Sequence, residues 1–171
     1  MSVACDAQGA DAARPFHEKA GAEFTTVVDQ ANVFGSLYGL RAVPFAIYID
    51  EEGRIVKPPH GISSANADAL ADLGAWIAGQ GVPAVPGKME RDPAHESVRE
   101  ADLRFALGSH LLARGERTGA VAEWRKALEL DPQNWIIHKQ IWAVEHPEAF
   151  YSGPVDYDWQ KSELERERQG R

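Results

Sequence analysis

Apolar and polar positions follow two different periods along the 171 residues, and the change falls near residue 80. Before it, short β-branched or alternating runs bounded by Asp and Gly predict strands with brief helices between them. Ser2–Cys5 is an apolar run closed by Asp6 and reads either as a very short strand or as the tail of one. Residues 10–21 predict a helix with Asp11 in its first turn, Pro15 near its start and Gly21 as its stop. Phe24–Val28 reads as a strand. Asp29 is placed to cap a short helix in which Val33, Phe34 and Leu37 share a face, and Gly39 ends that helix. Phe45–Ile49, the turn Asp50-Glu51-Glu52-Gly53 and Arg54–Val56 predict a hairpin. Lys57-Pro58-Pro59-His60-Gly61 breaks the pattern, after which Ser64 or Asn66 caps a helix carrying Leu70, Leu73, Trp76 and Ile77 on one side.

Gly and Pro crowd the stretch from Gly79 to Pro93, which predicts a linker. Beyond it the period is helical. Leu103, Leu107, Leu111 and Leu112 predict one stripe, Gly115 ends that helix, and Ala120, Val121, Trp124, Ala127 and Leu128 form the stripe of the next. A third helix follows Pro132, with Ile136, Ile137, Ile141 and Trp142 apolar, and Pro147 ends it. The final segment is aromatic and then highly charged, and its tail is expected to fray. The domains predicted are therefore 1–80, a linker over 81–93, a helical unit over 94–147, and an aromatic segment with a charged tail over 148–171.

Hydrophobic residues at 44% and charged residues at 26% fit a chain able to bury a core. The net charge of -8, with acidic residues in excess in both halves, argues against nucleic acid as a partner, because phosphate binding needs a basic stripe. No stretch approaches the roughly 20 apolar residues of a membrane span, and the first residues lack the basic start and apolar run of a secretory signal. As written, the chain is expected in the cytoplasm; a longer N-terminus would leave an extracytoplasmic location open. The oligomeric state is not legible.

Cys5 is the single cysteine, so the chain holds no internal disulfide, no CxxC pair and no cysteine metal cluster. The six histidines show no HxxxH or HxH spacing, and no cofactor motif of the GxGxxG, GxxxxGK[ST] or GxSxG type is present. No metal and no cofactor are expected, and Glu51-Glu52 reads as a solvated turn.

The strand ending at Asp29, the short helix running into Tyr38-Gly39, the Val43-Pro44 step, the apolar strand behind it, and Asp50 and Gly53 in the closing turn together resemble the later part of a TlpA-like redoxin of the thioredoxin superfamily. The likeness covers roughly Ser2 to Gly79. It implies a cis bond before Pro44 and a substrate groove shaped by Val43 and Pro44, whereas the residues alone also allow a trans proline opening a buried strand. In that family the CxxC lies on a strand and helix ahead of the strand matched by Val3–Cys5, and this sequence contains no such unit. The lost strand would stand between Val3–Cys5 and Phe45–Ile49, leaving two unpaired edges. Cys5 is a weak candidate for the catalytic thiol, since burial beside Asp6 would raise its pKa.

Leu107, Gly108, Leu111, Ala120, Trp124, Ala127 and Pro132 resemble one tetratricopeptide repeat, with Arg104 where an aromatic is usual. The fold class expected is thus α/β: an incomplete thioredoxin-like fold followed by an all-α tetratricopeptide-like module. Two functions stay open. One is a redoxin whose family task is thiol-disulfide exchange or peroxide-linked redox work, inactive without its dithiol. The other is a non-catalytic interaction or scaffold protein that uses the groove and the repeat to hold a protein or peptide partner.

Overall fold

The computed structural model describes residues 1–63, 66–81 and 96–169. Its class is mixed α/β, with helix predominating and two small sheets. The chain runs β1 (Ser2–Ala4), α1 (Ala10–Lys19), β2 (Thr26–Val28), α2 (Val33–Tyr38), β3 (Phe45–Ile49), β4 (Ile55–Gly61) and α3 (Ala67–Ile77). It continues with α4 (Glu96–Ala113), α5 (Arg117–Leu130), α6 (Trp135–Glu145), α7 (Glu148–Tyr151) and α8 (Tyr157–Gln169).

β1 and β2 pair in parallel, Val3 opposite Val27, and the Ser2 and Thr26 hydroxyls meet at 2.7 Å. β3 and β4 pair antiparallel, from Phe45 opposite Gly61 to Ile49 opposite Ile55. With two strands in each sheet, every strand keeps one edge that no described strand occupies. The two edges expected to be left open, those of β1 and β3, have not rejoined.

Several local signals act as their chemistry requires. Both oxygens of Asp29 accept at the start of α2, from the Val33 and Phe34 amides at 2.8 Å each. Gly39 closes that helix with a φ of 66°, a left-handed value that suits glycine. Asn66 caps α3, accepting from the Asp68 and Ala69 amides, while Ser64 lies outside the described residues. Most of the linker expected over 81–93 also lies outside them.

Other expectations are corrected. Lys57–Gly61 continues β4 instead of breaking it: the register shifts between Ala46 and Ile49 absorb the two prolines, on a strand whose far side needs no donors. Pro15 stands in the second turn of α1, not the first. In α2 the predicted face fails, because Val33 and Leu37 are exposed while Gly35 is buried beneath Asn32. The α3 stripe is partly open, with Ile77 72% exposed; Trp76 nevertheless stacks on Tyr48 at 4.8 Å and so seats the helix on the hairpin.

The main core lies in the helices. Every residue of the stripe predicted for α5 is buried, as are Ile136, Ile137, Ile141 and Trp142 of α6. α4 turns a different face inward from the leucine stripe: Ala101 and Phe105 are buried, and Leu103 and Leu107 are exposed. Gly108 sets that rotation, since the Trp124 ring lies against it and donates its indole N–H to the Phe105 carbonyl at 3.0 Å. Arg104 faces outward and ties Glu100 to Glu123. As far as Gln169 the charged tail does not fray. It is α8, held by Trp159 against Trp142 at 6.0 Å and by a 2.7 Å hydrogen bond from the Trp142 indole to Glu167. The other Glu167 oxygen stands 2.9 Å from His138 Nδ1, close enough for an ion pair but not aligned as a hydrogen bond.

Candidate functional site

β1 points its C-terminal end at α6. Cys5, Asp6 and Ala7 follow the strand, and Gln140 reaches them from the middle of α6. Its amide oxygen accepts from the Ala7 N–H at 2.8 Å, and its amide nitrogen donates to the Cys5 carbonyl at 3.1 Å. A side-chain amide thereby satisfies two backbone groups, one buried and one part-buried, that have no strand to bond. Tyr151 closes the other side: its hydroxyl donates to Asp6 Oδ2 at 3.1 Å and accepts from Gln8 Nε2 at 2.8 Å, and its ring meets Phe16 edge-on.

These groups surround a cavity of about 200 Å³ that also takes in Val43, Ile136, Lys139 and Gln160. The Val43–Pro44 peptide bond is cis, and Val43 is 40% exposed. Pro44 is not among the residues that line the cavity; its carbonyl instead accepts from the Ile62 amide. The structure thus brings Cys5 and Val43 into one cavity and leaves Pro44 behind it.

Charge in this cavity is held under burial. The Cys5 thiol is pushed up to about 11, first by burial and then by the Asp29 and Asp6 carboxylates. Asp6 is itself raised by burial, against the hydrogen bonds from the Gln8 amide and Tyr151 that favour its charged form. Tyr151 is raised by burial and by Asp6. Lys139 is lowered by burial alone. At neutral pH the sulfur is therefore a thiol, and a thiol is neither a useful nucleophile nor a metal ligand. Among the described residues no group of three or more His, Cys, Asp or Glu side chains is arranged to hold a metal. No described helix is long and apolar enough to cross a membrane.

Sequence reasoning found Cys5 and Val43 but missed Asp6, Lys139, Gln140, Tyr151 and Gln160 as parts of the site. Gln140 carried a signal, as a polar residue between Ile137 and Ile141 on a buried helix face. Tyr151 and Gln160 carried none, because their elements read as an aromatic segment and a charged tail. No family model matches the chain, and neither a curated protein nor a solved structure matches it significantly.

Proposed function

We propose that the chain is a thioredoxin-fold module of TlpA-like descent joined to a tetratricopeptide-like helical module, and that it works by binding a polypeptide and not by thiol chemistry of its own. The element order from β1 to α3 supports the fold, with a parallel pair followed by an antiparallel hairpin that opens at Val43-Pro44. The observation that carries the functional reading is the state of Cys5, which stands at the redoxin-like groove beside Val43 yet is held protonated by burial and two carboxylates. The partner adds as a strand to the open edges of β1 and β3, where backbone groups supply affinity and the exposed Val43, Phe45 and Ile49 supply apolar contacts. The α4/α5 hairpin is structural, since a single repeat offers little concave surface.

Iodoacetamide labelling of Cys5 tests this reading. The rate at pH 7 is expected to be slow and to climb as the pH approaches 11, and the protein should not accelerate insulin reduction by dithiothreitol. Fast labelling at pH 7 together with insulin turnover would refute it.

A second reading rests on the same open edges. A strand and helix carrying a CxxC, placed beside β1 and β3, would bring a dithiol to the cavity and make the assembly a thiol-disulfide oxidoreductase. The mass of the protein from its native cells separates the two, because a dithiol unit in the same polypeptide requires a mass well above 18.8 kDa.

A further inference from the structure

The cavity holds two polar side chains that nothing in the described protein satisfies. Gln160 is only 5% exposed, and its amide makes no hydrogen bond among the described residues. Lys139 is half-buried, and its ammonium has no acceptor or counter-ion among them. The other polar groups of the lining are occupied: Asp6 with the Gln8 amide and Tyr151, Gln140 with Ala7 and Cys5, and Tyr151 with Asp6 and Gln8. What remains is one cation, one amide, the Cys5 thiol and apolar walls that include Ile136, Phe150 and Val155.

Both side chains line the cavity and neither ends in an enclosed atom, so an acceptor that enters can replace the water on them, and an ammonium favours an anion more strongly than a neutral acceptor. We propose that this cavity binds a small free monocarboxylate with a short aliphatic body. The carboxylate takes the Lys139 ammonium and the Gln160 amide N–H, and the body lies against Ile136, Phe150 and Val155. Size argues for a free molecule, because 200 Å³ falls below the roughly 300–1,000 Å³ of ordinary ligand pockets and leaves no room for a chain of residues. Asp6 limits the charge, since its carboxylate in the same lining repels a second negative group. The lowered pKa of Lys139 agrees, being a cation that burial strips of water and no protein group compensates. This inference goes beyond the binding role proposed above and does not depend on a polypeptide at the strand edges.

Calorimetric titration of the whole chain with 4-methylpentanoate and with 4-methylpentanamide tests it. The acid should bind at one site and the amide at least about tenfold more weakly, a difference of about 1.4 kcal/mol. Lys139→Met should lose at least about tenfold, and Gln160→Leu about fivefold, each with an unchanged circular dichroism spectrum. Equal binding of acid and amide, no binding of either, or undiminished binding to Lys139→Met overturns the proposal. A short peptide ending in a leucine carboxylate that binds as tightly as the free acid overturns the free-molecule assignment.

Discussion

Gly108 stands where α4 crosses α5, and replacing it with alanine tests how that crossing is made. A Cβ at this position would lie 2.5 Å from Trp124 Cδ1 and 2.9 Å from the Ala120 carbonyl oxygen, and it would also meet Trp124 Nε1. Neither neighbour can give way cheaply. The Ala120 oxygen is backbone of α5. Trp124 is 0% exposed, stacked on Phe105 at 5.5 Å, and bonded through its indole to the Phe105 carbonyl. Alanine gains about 1 kcal/mol over glycine inside a helix. Against this stand about 1–3 kcal/mol for overpacking and about 1–3 kcal/mol if the indole N–H is pulled from its acceptor. The expected net loss is about 2 kcal/mol, which for a chain of this size lowers the melting temperature by about 4–8 °C. Thermal unfolding followed by helical circular dichroism reads it. In a Trp124→Leu background, Gly108→Ala should cost at least about 1 kcal/mol less, because the two positions then no longer clash. A Gly108→Ala protein that melts at or above the wild-type temperature would refute the account.

Two further outcomes follow from the described contacts. Asp6 has a carboxyl raised above its ordinary 3.8, so the folded state holds the proton more tightly than the unfolded chain. Its favourable contribution is complete at low pH and is lost as the pH rises through the raised value. Urea unfolding at pH 3.5 and pH 7 should therefore show the wild type losing ground to Asp6→Asn as the pH rises, and a difference that is constant or of opposite sign would contradict this. Asp131 accepts from Arg41 at 2.9 Å and from the buried Asn134 amide at 3.1 Å. Asp131→Ala should cost about 1–3 kcal/mol by stranding Asn134. Arg41→Ala, which removes a half-exposed partner, should cost no more than about 1 kcal/mol. Equal losses in urea unfolding would contradict the asymmetry.

What the sequence made legible depends on whether one residue's neighbours in the chain are also its neighbours in space. α5 and α6 read correctly because their apolar positions repeat at helical spacing and the whole face is buried. α4 misled, since its leucines outnumber its true contacts; a glycine on one helix and a tryptophan on another decide which face turns inward, and no periodicity within α4 records that. β4 was cut short at its prolines because an edge strand with bulges tolerates residues that a central strand rejects. α8 was hidden by its charges: Trp159 and Leu164 pack it on the core and Glu167 takes the Trp142 indole N–H, while Lys161, Glu165, Arg166 and Arg168 stay exposed. The site was legible only at Cys5 and Val43. Apart from Asp6, its remaining polar members come from α6, α7 and α8, and only the folded chain sets them opposite β1.

The Gln140 amide also imposes an order of assembly. Its bond to the Ala7 N–H spans 133 residues, while α4 and α5 meet across a short turn at Gly115. Closing so long a loop adds little to the equilibrium cost, since each doubling of length adds only about 0.6 kcal/mol, but distant contacts form slowly. The helical hairpin forms from near neighbours, and β1 pairs with β2 across 24 residues, whereas the Ala7 N–H and the Cys5 carbonyl lack their partner until α6 stands in place. The segment that follows β1 is thus seated late, and a ribosome that has not yet released α6 has made a strand whose end still waits for its clasp.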